Sequence, residues 1–312
     1  MDCSKDSGDL EPADMLFRQD RACCPICETS FEYAYLNYDC FVVESTGLNM
    51  KPRRRWKKRV WSRTIPGMFY MVNCPQCSFC GDAAAYHDPV AHLRLTLPLF
   101  RRKISGAMQG NDPILQRLKD AAQSSCPSFA VSVMEYLRAI HLLRLFRNVK
   151  ESDSLRLGRY CLHLSWLLQD IDRSGAKSEI AATLEALKEQ LRECWPDVPL
   201  SIVSATRQSL EYYTNCYYLA DLSGQRGLDH SVLLIMARLN LYLNNFREAE
   251  GLIFKDLKKL NEQLAAPRRQ LLSRDPETLL AAQTSIMEIN VRIVETQQLL
   301  EMAKELRFQK TP

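Results

Sequence analysis

The feature that most constrains this chain is a pair of short cysteine turns, Cys24-Pro25-Ile26-Cys27 and Cys74-Pro75-Gln76-Cys77, separated by 46 residues. Two thiolates spaced C-x-x-C grip one tetrahedral ion from a tight turn, and Pro25 and Pro75 each pre-set a turn dihedral directly after the first ligand. Together the four sulfurs read as the closed shell of one structural zinc site. With four thiolates around it, such an ion stabilises the fold and has no open position for water or substrate. A metal-free domain that retains the turns is the plain alternative. A thiol redox protein is the sharper one, and it needs a pair at a helix N-terminus in a βαβ setting, a context that neither pair has.

Other side chains near the turns are weighed against this shell. Cys23 and Cys80 adjoin it and read as bystander thiols, with substitution into the ligand set as the alternative. His87 and His92 follow Cys80, and His87-Asp88 has the form of a ligand with its orienting carboxylate. They read as surface histidines, because the four-cysteine set needs no replacement.

Twelve cysteines in a short secreted chain would imply disulfides, but here they are diluted over 312 residues. No hydrophobic signal segment is expected before them, and no run approaches the roughly 18 apolar residues of a membrane span. A reducing, cytoplasmic compartment is the expectation, in which paired cysteines are better explained by metal. The net charge of +4 is small for this length and does not select a partner. Only a local concentration of charge could, and one lies between the cysteine pairs: Lys51-Pro52-Arg53-Arg54-Arg55-Trp56-Lys57-Lys58-Arg59-Val60-Trp61-Ser62-Arg63 contains no acid.

The expected organisation is mostly α: a small N-terminal β zinc ribbon followed by a tetratricopeptide-like array of antiparallel helices. Residues 1–20 read as a disordered acidic tail, carrying Asp2, Asp6, Asp9, Glu11 and Asp14 among few apolar residues. Residues 21–92 form the ribbon, with strands at 31–36, 40–43 and 68–72. The basic insertion 51–63 is too charged for a core and reads as a solvated loop or arm. Residues 93–125 are a connector, and residues 126–308 the helical domain.

Within that domain the apolar period is 3.6 residues. Helices are expected over 129–145, 155–168, 178–195, 202–222, 229–243 and 247–264, with a last long one opened by Pro276 and reaching about Leu306. The pair around Asn244-Asn245 places Met236-Ala237, Phe246, Ala249, Ile253 and Leu257 at the small and large positions of a tetratricopeptide-type hairpin. The proline that usually ends the second helix is missing. Tyr212, Tyr213, Tyr217 and Tyr218 read as inter-helix packing, with a peptide groove as the alternative. His141 and His163 read as core or boundary residues, and Cys126, Cys161, Cys194 and Cys216 as small buried hydrophobes.

The run Cys24-Pro25-Ile26-Cys27-Glu28-Thr29-Ser30-Phe31, the approach Phe69-Tyr70-Met71-Val72-Asn73-Cys74-Pro75-Gln76-Cys77 and the segment 156–168, ending Ser165-Trp166-Leu167-Leu168, together resemble a bacterial family catalogued as domain of unknown function 2225. The resemblance covers residues 21–306 and implies a zinc ribbon followed by tetratricopeptide-like helices, with no activity attached. The chain departs from that pattern at Ser78-Phe79, where the family has a glycine and an aromatic, and in the length of its basic stretch.

No phosphate loop, nucleophile elbow, HExxH or paired-carboxylate signature is present. Three functions follow as expectations. The first is a non-enzymatic scaffold that holds a protein partner on its helices. The second is a nucleic-acid-binding adapter using Arg53, Arg54, Arg55, Trp56, Lys57, Lys58, Arg59, Trp61 and Arg63, in which the cations meet phosphates and the tryptophans stack on bases; an anionic membrane surface and a merely solvated loop are its rivals. The third is a thiol redox protein.

Overall fold

The structure, a computed structural model, describes residues 16–87, 97–119, 128–145, 152–174, 177–219 and 227–310. It is mostly helical, with antiparallel strand pairs near the N-terminus. The chain divides into two compact units, one of residues 1–47 and 51–209, the other of residues 48–50 and 210–312.

In the first unit each cysteine turn is the bend of a β-hairpin. Strand β1 (Phe17–Cys23) pairs with β2 (Ser30–Leu36) from Phe17↔Leu36 to Cys23↔Ser30. A second hairpin joins β3 (Phe41–Thr46) to β4 (Pro52–Trp56), with a register shift between Val43 and Ser45. The short strands β5 (Met71–Asn73) and β6 (Cys80–Asp82) flank the second cysteine turn.

Three places differ from expectation: of the strand expected at 68–72, Met68 and Phe69 lie in a 3-10 turn, Pro66–Phe69, and the strand is confined to Met71–Asn73. Residues 17–20 belong to β1 and not to a tail, because pairing with β2 satisfies their backbone although Arg18, Gln19 and Asp20 hide the alternation. Phe17 anchors that end, its ring 4.5 Å from Phe69. Five of the thirteen residues of the basic insertion, Pro52–Trp56, are likewise strand, not loop. There Arg55 reaches Glu44 across the hairpin at 2.7 Å, Arg54 lies over the Phe41 ring at 5.1 Å, and Trp56 meets the same ring edge-on at 5.2 Å. Lys51 is buried, donates to the Trp166 carbonyl at 3.0 Å and pairs with Asp170. Desolvation lowers its pKa, against the pull of that carboxylate.

Helices then cover the ribbon. The helix α1 (Ala83–His87) leaves β6 directly. The described part of the expected connector is helical, as α2 (Leu97–Gly106) and α3 (Pro113–Lys119). Ile104 and Leu115 join Cys24, Cys74, Val72, Phe79, Tyr86 and Leu142 in one core. No boundary falls there, because the two C-x-x-C turns bury too little apolar surface by themselves and these helices supply the rest.

The helices α4 (Phe129–Arg144), α5 (Ser152–Ser174), α6 (Lys177–Leu191) and α7 (Ile202–Leu219) match the apolar periodicity closely. Ser128 caps α4, its hydroxyl accepting from the Val131 amide at 3.2 Å. An aromatic cluster binds α4 and α5 to the ribbon: Tyr70 stacks parallel to Tyr136 and sits 4.0 Å from His163, which stacks on Trp166 at 4.4 Å. Tyr160 accepts the Asp82 amide at 2.9 Å. Gly81 packs tightly beside it, since an added Cβ would meet Ala85 Cβ at 3.0 Å and push it by a few tenths of an ångström.

In the second unit α8 (Leu228–Tyr242) and α9 (Phe246–Gln263) form a helical hairpin, turned by Asn244 in the left-handed region at φ 67°. Ala237 and Ala249 are buried between them. A short helix α10 (Ala265–Gln270) leads to α11 (Pro276–Lys310), whose Leu299 and Ala303 complete that core. His230, Asp256 and Thr296, one from each of α8, α9 and α11, meet in the interior: His230 Nδ1 lies 2.8 Å from Asp256 Oδ2, and the Thr296 hydroxyl donates to the same oxygen at 2.9 Å. Tyr212 and Tyr213 are buried as expected, while Tyr218 is exposed beneath Lys255.

Burial pushes the His163 imidazole down from 6.5 to about 3. A neutral folded imidazole and an unfolded one that protonates near 6.5 make the unfolded chain the stronger proton binder below that pH. This stability is complete above 6.5 and is lost as pH falls toward 3. Chemical denaturation at pH 7.5 and pH 5 should show the difference between the native chain and His163→Phe shifting by roughly 2 kcal/mol in favour of the variant at the lower pH.

Candidate metal centre

The two cysteine turns have the same backbone. In the first, the Cys24 amide donates to the Thr29 carbonyl at 2.9 Å and the Glu28 amide to the Cys24 carbonyl at 2.9 Å. In the second, the Cys74 amide donates to the Phe79 carbonyl and the Ser78 amide to the Cys74 carbonyl, both at 2.8 Å. To close this way the residue after the second cysteine must turn left-handed, and Glu28 and Ser78 do so at φ 61° and 56°. Neither is glycine, so each carries a strain on the order of 1 kcal/mol.

The turns face one another and bring the four sulfurs together. Cys24, Cys27, Cys74 and Cys77 have ligand atoms within 4.8 Å of one another, with Cys24–Cys77 and Cys27–Cys74 contacts of 3.5 Å. A tetrahedron with metal–sulfur bonds of about 2.3 Å spaces its sulfurs about 3.8 Å apart, so the cluster fits such an ion. Its proton balance is uneven. Hydrogen bonds from Cys24 and Cys77 push Cys74 down to about 2, while the hydrogen bond to Cys74 pushes Cys24 up to about 12 and those with Cys24 and Cys74 push Cys77 up as well. A central cation would let all four ionise.

Comparison with protein-family models, with curated proteins and with solved structures finds no match. The centre is therefore read from its own geometry.

Its surroundings hold the turns from both sides. The Tyr86 hydroxyl reaches the Val72 and Phe79 carbonyls at 3.0 and 2.5 Å, tying the strands of the second hairpin, and its ring meets Phe31 of the first edge-on at 5.6 Å. From α2, Arg101 donates to the Pro25 carbonyl at 2.6 Å and to the Glu28 carboxylate at 2.7 Å. That ion pair also holds the left-handed residue of the first turn. Nothing in the sequence marks Arg101, one of three adjacent basic residues in what reads as a connector.

The neighbouring candidates lie outside the cluster. Cys23 is exposed with its sulfur 3.5 Å from the Glu28 carbonyl, and Cys80 is buried, its pKa pushed well above the ordinary thiol value by desolvation. His87 Nε2 meets the Tyr33 hydroxyl at 2.8 Å and lies 3.3 Å from Asp20, tying α1 to β1 and β2. His92 and Cys126 lie outside the described residues. The basic residues 53–63 are not part of the cluster. Both C-x-x-C pairs sit in strand-to-strand turns, not at helix N-termini.

Arg101→Ala leaves the sulfurs in place and removes the bonds that fix the first turn. Loss of such an outer partner weakens metal binding by roughly 10-fold or more. Competition with a chromogenic chelator on the full chain should show that loss, with Arg101→Lys intermediate because a single ammonium replaces the guanidinium fork.

Proposed function

We propose that the four-cysteine cluster holds a structural zinc ion and that the chain is a non-enzymatic adapter, in which this metal-stapled ribbon supports a helical surface that binds a protein partner. The observation that carries the reading is a closed thiolate shell built into the hydrophobic core: Cys24 and Cys74 are both fully buried. Soft thiolates in tetrahedral array select zinc or iron–sulfur chemistry among biological metals, and a single-ion shell without a redox demand favours zinc.

The partner surface is assigned to α11. Leu280, Met287, Val291 and Val294 are more than half exposed along it, and a groove of about 690 Å³ is lined by Leu271, Ile286, Met287, Val291 and Val294. An apolar stripe of this kind is what partner binding uses. The α8–α9 hairpin belongs to the same proposal as a tetratricopeptide-like unit, and the resemblance to the domain of unknown function 2225 family supports the combination of ribbon and helices.

Metal analysis of the purified chain should give one zinc per molecule, lost in Cys24→Ser/Cys77→Ser. Chelation should abolish the cooperative unfolding of the first unit while the helices of the second remain folded, because structural zinc contributes folding free energy outright. Crosslinking in native lysate should recover a stoichiometric protein with the native chain and not with Met287→Asp/Val291→Asp. A chain free of metal, or one with the same captures in both forms, would contradict the respective half of the proposal.

A further inference from the structure

The hairpin β3–β4 and the single 3-10 turn that follows it sort the basic residues of 51–63 into two classes. Lys51 is committed to Asp170, Arg55 to Glu44, and Arg54 to the Phe41 ring. Lys58 lies over the Trp61 ring at 4.8 Å. Arg53, Lys57, Arg59 and Arg63 are exposed and face no carboxylate among the described residues. Three of these four are arginines, whose planar fork matches phosphate oxygens. Arg53 and Arg55 leave the same side of β4 at a spacing of about 6.6 Å, and Arg59 and Arg63 bracket the 3-10 turn Arg59–Arg63.

The two tryptophans decide between partners. Single-stranded nucleic acid is gripped by aromatic faces on which bases stack, and a membrane surface by tryptophans inserted at the headgroup level. Trp56 is engaged edge-on with Phe41, and one face of Trp61 lies under Lys58. Exposed cations whose neighbouring tryptophans are already engaged within the hairpin and the turn suit a ligand that presents a phosphate backbone.

We propose that Arg53, Lys57, Arg59 and Arg63 form a contact surface for the phosphate backbone of duplex nucleic acid, read without base sequence. This surface adds a nucleic-acid partner to the adapter reading and is anchored by the same metal-stapled unit. The tryptophans pack within the hairpin and the turn, on Phe41 and under Lys58, and do not stack on bases.

Fluorescence anisotropy of the full, metal-loaded chain tests this with duplex DNA, duplex RNA, single strands and vesicles of mixed anionic lipid. Duplexes should bind at low salt whatever their sequence. With about four phosphates neutralised, affinity should fall roughly 100-fold between about 50 and 200 mM salt. Arg53→Glu/Lys57→Glu/Arg59→Glu/Arg63→Glu should lose binding, the milder set with glutamine should weaken it and flatten the salt dependence, and reversal of Lys188, Arg192, Arg268 and Arg269 should leave it intact. Zinc content measured on each preparation shows whether the ribbon is formed. A zinc-loaded chain that ignores duplexes at low salt overturns the inference and leaves the metal-centre reading standing. Vesicle binding in place of duplex binding, or preference for single strands, overturns it as well.

Discussion

Four cysteine sulfurs from two turns 46 residues apart meet in one cluster, and the first unit is built around that meeting. Neither turn alone has enough apolar surface to hold its hairpin. A metal bound by the four sulfurs would close the intervening chain, which on a chain-entropy estimate for a loop of this length is worth about 4 kcal/mol. The cost of closing is offset further by the residues that bridge the hairpins. Tyr86 ties the second to the ring of Phe31 on the first, and Arg101 closes over the first turn from a helix well downstream.

The consequence is that ribbon and helices are not separable pieces. Ile104, Leu115 and Leu142 share a core with two of the cysteines, so the helices after the ribbon are its hydrophobic lid. The hairpin β3–β4, inserted between the two cysteine turns, is tied back by the buried Lys51 and its partner Asp170 on α5. A basic segment can therefore be displayed on a rigid support, because one of its own cations is spent as an anchor.

Much of this was legible in the sequence, and the reasons are local. The four-cysteine cluster follows from C-P-x-C chemistry, and the seven long helices among the described residues follow from an apolar period that nothing interrupts between caps and breakers. What escaped were features decided by distant partners. The strand β1 is polar along its middle and becomes a strand because β2 offers it backbone bonds. The 52–56 stretch reads as loop because five consecutive positions carry no acid, yet Glu44 and Phe41 across the hairpin make it strand. Arg101 has no motif at all, since its role depends on where α2 lands. The unit boundary near Ser209 falls inside the continuous helix α7, where no composition shift marks it.

The interior trio of His230, Asp256 and Thr296 has a consequence for the longest helix. A helix of 35 residues with apolar side chains on more than one face can be packed on its neighbours in several axial positions that bury similar amounts of hydrocarbon. A slide of one turn, about 5.4 Å, would carry Thr296 away from Asp256 and strand a buried carboxylate with one partner fewer. Hydrocarbon sets how tightly α11 is held, and a few polar contacts, Thr296 on Asp256 in the interior and Arg307 on Glu250 at the surface, set where along its length it stops.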